Sequence, residues 1–94
     1  MQQEQAEAIA IQALSFIASD PELLPRFLAL TGIEAGQIRQ AANEPGFLAG
    51  VLQFVLAHAP TLLSFSEQSG VPPQDVSTAH RHLPLGDGDW DIQP

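Results

Sequence analysis

Three histidines are the residues with the most evident capacity for metal binding or proton transfer. His80 and His82 are two positions apart, so on a helix their side chains project about 200° from each other and cannot share a metal ion. His58 lies on the apolar face of a predicted helix, where a histidine is more often a packed side chain or a helix-end cation than a ligand. The histidines therefore predict no metal site.

Catalytic groups are not brought together by any sequence motif. The chain has no cysteine, which excludes disulfides, thiolate nucleophiles and zinc–thiolate sites. It has no Ser-His-Asp context, no glycine-rich phosphate loop and no pair of carboxylates on one buried helix face. Four glutamates lie near predicted helix ends or on polar faces, where capping and solubility account for them: Glu22, Glu34, Glu44 and Glu67. We therefore expect no enzymatic activity and no cofactor.

A helix-turn-helix motif that binds DNA is one function whose spacing fits the sequence. Gly70 is followed by Val71, and Val76 comes six residues after the glycine, as in the turn and recognition helix of such motifs. The residues that could contact bases or phosphates are Gln74, Ser77, Thr78 and Arg81. Asp75 at the start of this helix would repel phosphate, and a single arginine gives little support. A degenerate helix-turn-helix regulator is therefore the alternative function.

Arg26 and the end of the chain are the candidates for binding a partner protein. Arg26 is expected to face a groove if it has a binding role, or to pair with Glu22 four residues earlier if its role is structural. Trp90 and Ile92 lie among aspartates in an acidic, flexible tail predicted over residues 85–94, and they could dock in a basic, apolar groove. A disordered tail, or Trp90 folded back on the domain, are the alternatives; the spacing of a calcium-binding loop is absent.

The charge balance limits the kinds of partner. The chain carries 11 carboxylates against three arginines and no lysine, for a formal net charge of −8. Such a surface repels DNA and anionic membranes and suits a basic protein partner. The first twenty residues contain no basic residue, and the most apolar segment, residues 46–59, is too short to span a bilayer. We therefore expect a cytoplasmic protein that binds another protein.

Helical periodicity runs through the chain, and the fold class that it predicts is all-α. One amphipathic helix is expected over residues 3–19, and the longest apolar helix over residues 44–58, with an apolar face of roughly 200°. Shorter helices are expected over residues 25–31, 35–42 and 73–83, with a further helix starting at Pro60. Together these helices predict a compact bundle of about five or six helices around residues 44–58, forming one domain over residues 1–84.

Two segments 38 residues apart resemble each other. Leu24 aligns with Leu62, Phe27 with Phe65, Thr31 with Ser69 and Gly32 with Gly70. Each segment is a helix, a glycine expected to end it in a left-handed conformation, and a second short helix. Two copies are too few for a solenoid. The match is explained either by a duplication or by the residue types that helical corners generally require.

The strings LLPRFLALTGI (residues 23–33) and PGFLAGVLQF (residues 45–54) resemble a family of short bacterial proteins described only as a domain of unknown function. The resemblance extends over roughly residues 6–83 and implies a compact helical domain from a bacterial cytoplasm. It implies no activity and no site residues. The function predicted from the sequence is therefore a non-enzymatic protein-interaction module that uses Arg26, Trp90 and Ile92.

Overall fold

Six α-helices form the part of the chain that the structure, a computed structural model, describes: residues 1–43 and 46–83. The helices are α1 (Gln3–Ser19), α2 (Leu23–Thr31), α3 (Ile38–Ala41), α4 (Phe47–Leu56), α5 (Ala59–Ser69) and α6 (Pro73–His82), and a 3₁₀ turn at Ala35–Gln37 leads into α3. There is no strand within those two ranges, so the all-α prediction is confirmed. The predicted acidic tail, residues 85–94, lies outside the described residues.

Helix α1 has the bounds that its periodicity predicts and forms one side of the core. Its fully buried residues follow at intervals of three or four: Ala6, Ala10, Ala13 and Ile17. Three of the four are alanines, whose small side chains let neighbouring helices approach closely. Helices α4 and α6 pack against α1 along this face. Burial against several helices, rather than propensity alone, stabilises α1.

Helix α2 begins beside Asp20 and continues through Pro25. The Asp20 carboxylate accepts hydrogen bonds from the backbone N–H groups of Glu22 (2.8 Å) and Leu23 (3.1 Å). The sequence predicted a second helix start at Pro25, which is wrong. Pro25 is the third residue of α2, where the backbone N–H of a helix has no partner within the helix, so its absence costs no hydrogen bond.

The helix predicted at the centre, α4, packs against α1, α5 and α6. It shares the central position with α1, which also contacts α2. It is shorter than residues 44–58. It begins after Gly46, which has a left-handed backbone (φ 88°), and it ends at Leu56. The chain turns by 108° between α4 and α5, so one helix cannot continue through His58. Pro45 and Glu44 lie outside the described residues.

The two similar segments fold into matching corners. Gly32 ends α2 with φ 75° and Gly70 ends α5 with φ 79°. In each corner the preceding hydroxyl donates to the carbonyl four residues earlier, from Thr31 to Phe27 (2.8 Å) and from Ser69 to Phe65 (2.7 Å). The same hydroxyl accepts the N–H two residues later, at 3.4 Å and 3.1 Å respectively. The sequence match thus corresponds to the same local hydrogen bonds.

A membrane-spanning helix is not found among the described helices taken singly. Helices α4 and α5 taken together are long and apolar enough for a membrane span, but their axes bend by 108° at the break between them.

Candidate ligand-binding groove

Arg26 lies at the edge of an open cavity of about 540 Å³ between α2, α4 and the start of α5. We call this cavity the Arg26 groove. It is formed chiefly by Arg26, Leu30, Gly50, Gln53, Phe54 and Thr61, with His58 at one end. Its volume is within the range of about 300–1,000 Å³ that is typical of ligand sites.

Phe27 holds α2 against α4 and thereby creates the groove. The Phe27 ring is 1% exposed and makes edge-to-face contacts with Phe47 (6.1 Å between ring centroids) and Phe54 (5.4 Å). Away from this ring the two helices do not approach closely. The space beside the ring therefore stays open to solvent.

The spacing of α2 places Arg26 and Leu30 together on the groove side. They are four residues apart, which puts them on one helix face, next to the inward direction of Phe27. Both are exposed, and Leu30 is 73% exposed. No described residue forms an ion pair with Arg26, so the expected pair with Glu22 is not formed. Arg26 therefore lines a groove, while its role in binding stays a prediction.

Gly50 forms part of the groove floor in the middle of α4. Glycine in a helix interior costs up to about 1 kcal/mol relative to alanine. A Cβ atom added at Gly50 would meet no atom within 4 Å, so packing of the described residues does not require glycine. Its backbone is helical, so it has no need of positive φ either. What the glycine provides is space in the groove.

His58 and Thr61 form the polar end of the groove. The His58 Nδ1 atom lies 2.9 Å from the Thr61 hydroxyl oxygen, and the two share a hydrogen bond. Thr61 is only 6% exposed. The prediction that His58 packs in the apolar face of the central helix is wrong, because His58 has an extended backbone and is an exposed residue that precedes α5. Sequence reasoning missed Thr61; its position three residues after a helix-capping residue was the available signal.

A second depression of about 460 Å³ continues from the groove along α4 towards α3. It shares Thr31, Gly46 and Gly50 with the Arg26 groove and adds Gln37 and Gln40. No described residue that lines either depression is a carboxylate. In a chain of net charge −8, this continuous surface therefore carries a local positive charge from Arg26.

A family model described as Protein of unknown function (DUF3572) matches residues 3–86. The chain belongs to the DUF3572 family. The match includes all six helices and both walls of the Arg26 groove. No curated protein and no solved structure matches the chain. The family description states no activity, so the function of this DUF3572 protein has to be argued from its own surface.

The DUF3572 chain has another apolar depression, of about 500 Å³, between α1 and α5. Ile11, which is 54% exposed, lies beside Phe16 and Phe65, whose rings are in edge-to-face contact at 5.6 Å. Asp20 is the only charged residue in its described lining. The described residues that line this depression include no arginine or histidine, which distinguishes it from the Arg26 groove.

The helix-turn-helix candidates of this DUF3572 protein lie on α6, which packs on α1 and α4 through Val76 and Ala79. Gln74 and Arg81 are exposed, while Ser77 and Thr78 are half-buried. The Thr78 hydroxyl donates to the Gln74 carbonyl at 2.9 Å, so its proton is already used within the helix.

The remaining candidates of this DUF3572 protein are the metal ligands and the tail. No group of three or more potential metal ligands occurs over residues 1–43 and 46–83. Trp90 and Ile92 lie outside the described residues, so their role in binding stays a prediction.

Proposed function

We propose that this DUF3572 protein is a non-enzymatic interaction module whose Arg26 groove binds an acidic peptide segment that also carries an apolar side chain. One observation carries the proposal: an arginine without an ion pair among the described residues stands beside an exposed leucine, at the rim of a groove with a glycine in its floor.

The charge of the groove selects the partner. An arginine donates paired hydrogen bonds to a carboxylate, and such charge-assisted bonds are about twice as strong as neutral ones. The other polar groups in the described lining, such as Gln53 and Thr61, are uncharged. A basic peptide would find no carboxylate among the described residues of the lining. The overall acidity predicted a basic partner for the surface as a whole, whereas the groove itself favours an acidic one.

The apolar component of the partner would contact Leu30 and Phe54. Leu30 leaves most of its surface in water in the unbound protein. Covering apolar surface contributes roughly 25 cal/mol per Å². A ligand that covers Leu30 while its carboxylate contacts Arg26 therefore gains both terms at once.

Selection from a random peptide display library tests this function directly. We expect enriched peptides to combine carboxylates with a large apolar residue, and their affinity to fall about tenfold in Arg26→Ala, which corresponds to about 1.4 kcal/mol. Arg39→Ala is the matched control, since Arg39 is an exposed arginine on α3 that does not line the groove. Enrichment of basic peptides, or equal binding by Arg26→Ala, would contradict the proposal.

A DNA-binding regulator is the second candidate, and the corner at Gly70 is the observation in its favour. Gly70 has the left-handed backbone of a helix-turn-helix turn, and Val76 is fully buried six residues later. This function predicts binding to duplex DNA that weakens with salt and with Arg81→Ala. Titration of a random duplex pool at low salt measures it, and the absence of binding would eliminate it.

We place this activity in the cytoplasm. The support is a chain rich in carboxylates, with 11 of them against three arginines. Cell fractionation with antibodies to the untagged protein tests the compartment, and recovery in the membrane or periplasmic fraction would contradict it.

A further inference from the structure

We infer that the occupant of the Arg26 groove in the free protein is the chain's own acidic segment, residues 87–92, bound in the same molecule. This inference rests on the proposed function, because it names the ligand of the same groove. The segment would then control access of external peptides.

The composition of the segment matches the groove. It contains Asp87, Asp89 and Asp91 together with Trp90 and Ile92, and no arginine or histidine follows His82. It is the part of this sequence that combines three carboxylates with an aromatic residue within six positions. This is the partner chemistry that Arg26 and Leu30 favour.

The order of residues in the segment also fits. Asp89 and Asp91 alternate with Trp90 and Ile92. In an extended peptide, alternate side chains project to opposite sides. Bound in that way, the segment would direct carboxylates to the arginine at the rim and apolar side chains to the floor beside Gly50.

The distance from the domain to the groove is within reach of the segment. Trp90 is seven positions after Leu83 in the sequence, a distance of at most about 25 Å in an extended chain. The molecule measures 36 × 28 × 23 Å. Leu83 directly follows α6, which packs against α4, and α4 is one wall of the groove.

Tryptophan fluorescence reports the inference directly, because Trp90 is the single tryptophan and the chain has no tyrosine. In the full-length wild-type chain we expect blue-shifted emission and slow quenching by acrylamide. In Arg26→Ala and Gly50→Phe we expect emission at longer wavelength and quenching that is several-fold faster. Gly50→Phe would fill the floor that Trp90 needs, and an added Cβ there meets no described atom.

Two controls separate release of Trp90 from loss of folding. Arg39→Ala should leave the emission at its wild-type position, since Arg39 does not line the groove. Far-UV circular dichroism of each variant must match that of the wild-type chain. Should Gly50→Phe fail to fold, Leu30→Ala tests the same wall, because Leu30 is 73% exposed and contributes little packing.

Three results would overturn the inference. Trp90 in the wild-type chain could be as accessible to acrylamide as free tryptophan. Its shielding could persist unchanged in Arg26→Ala and Gly50→Phe, which would place it elsewhere on the domain. Its shielding could disappear on dilution, which would show that a second copy supplies the segment.

A competition experiment distinguishes failure of this inference from failure of the proposed function. Peptides selected on the groove should bind full-length Trp90→Ala at least about tenfold more tightly than the wild-type chain, by relief of competition. Equal binding to both chains would overturn the inference and leave the proposed function standing. The opposite outcome is also distinguishable. If Arg26→Ala removes the shielding of Trp90 but no variant binds an external peptide, the inference is supported and the interaction module is rejected.

Discussion

Phe27 and Leu30 lie within one turn of α2, but their environments are opposite. Phe27 is 1% exposed and Leu30 is 73% exposed. We expect Phe27→Ala to lower the free energy of unfolding by about 3–5 kcal/mol, because it leaves a cavity between α2 and α4. Leu30→Ala should change it by less than about 0.5 kcal/mol while weakening peptide binding. Urea denaturation measures both, and equal destabilisation would show that Leu30 is packed.

Gly50 and Gly32 give a matched pair for the second prediction. Neither has a neighbour that an added Cβ would strike, but Gly32 has positive φ and Gly50 does not. We expect Gly50→Ala to stabilise the protein by about 0.5–1 kcal/mol and Gly32→Ala to destabilise it by about 1–2 kcal/mol. Thermal and urea denaturation of the two variants check the signs. Destabilisation by Gly50→Ala would mean that α4 needs the glycine for its fold.

The sequence predicts which side of α2 is buried, but it does not predict what lies beside the other side. Periodicity places Phe27 inward, and Arg26 and Leu30 then follow on the adjacent face. That a cavity opens there depends on how α4 crosses α2, and no local pattern in the sequence fixes this crossing. The prediction for His58 is wrong for a similar reason, because the turn between α4 and α5 places His58 before a helix rather than within one.

At the scale of elements, the two corners share one hydrogen-bond pattern but support different second helices. After Gly70 comes α6, ten residues with Val76 and Ala79 fully buried. After Gly32 come a 3₁₀ turn and the four-residue α3, whose Ile38 is only half-buried. The 38-residue match predicted both corners, but the length of each following helix depends on how much core it can contact.

The hydroxyls of these corners provide the third prediction. Each hydroxyl donates to a carbonyl and accepts an N–H, and one net hydrogen bond contributes about 0.5–1.5 kcal/mol. We expect Ser69→Ala to lower the free energy of unfolding more than Thr31→Val does. Ser69 is half-buried and accepts its N–H at 3.1 Å, whereas Thr31 is exposed and accepts its N–H at 3.4 Å. Urea denaturation measures the difference. A larger loss of unfolding free energy in Thr31→Val would contradict the prediction and show that the hydroxyl before Gly32 contributes more than the one before Gly70.

Helix starts were harder to predict than helix faces. Pro25 was expected to begin a new helix, yet it lies in the first turn of one that Asp20 caps. The left-handed backbone of Gly46 before α4 has no distinguishing signal in the sequence. Proline and glycine each allow several positions near a helix end, so their types alone do not fix the first residue.

At the scale of the whole molecule, acidity and the groove act in opposite directions. Eleven carboxylates against three arginines produce self-repulsion that destabilises the folded chain. Arg26 instead places a positive charge at one point on the surface, where we propose that an acidic segment binds. Both effects are electrostatic, so both weaken as ionic strength rises, but they change different observables. The six-helix fold was predictable from hydrophobic periodicity, whereas this local departure from the net charge required the structure.

Salt should therefore raise stability while it releases Trp90. Raising NaCl from about 0.01 M to about 0.1 M shortens the screening length from about 30 Å to about 10 Å. Screening of like charges raises the thermal midpoint, and screening of the contact between Arg26 and the tail speeds acrylamide quenching. Differential scanning fluorimetry with an external dye and quenching of Trp90 measure the two changes. In Arg26→Ala the rise in midpoint should persist and the quenching change should vanish. A falling midpoint would mean that attractive ion pairs outweigh self-repulsion, and unchanged quenching would mean that charge does not hold the tail.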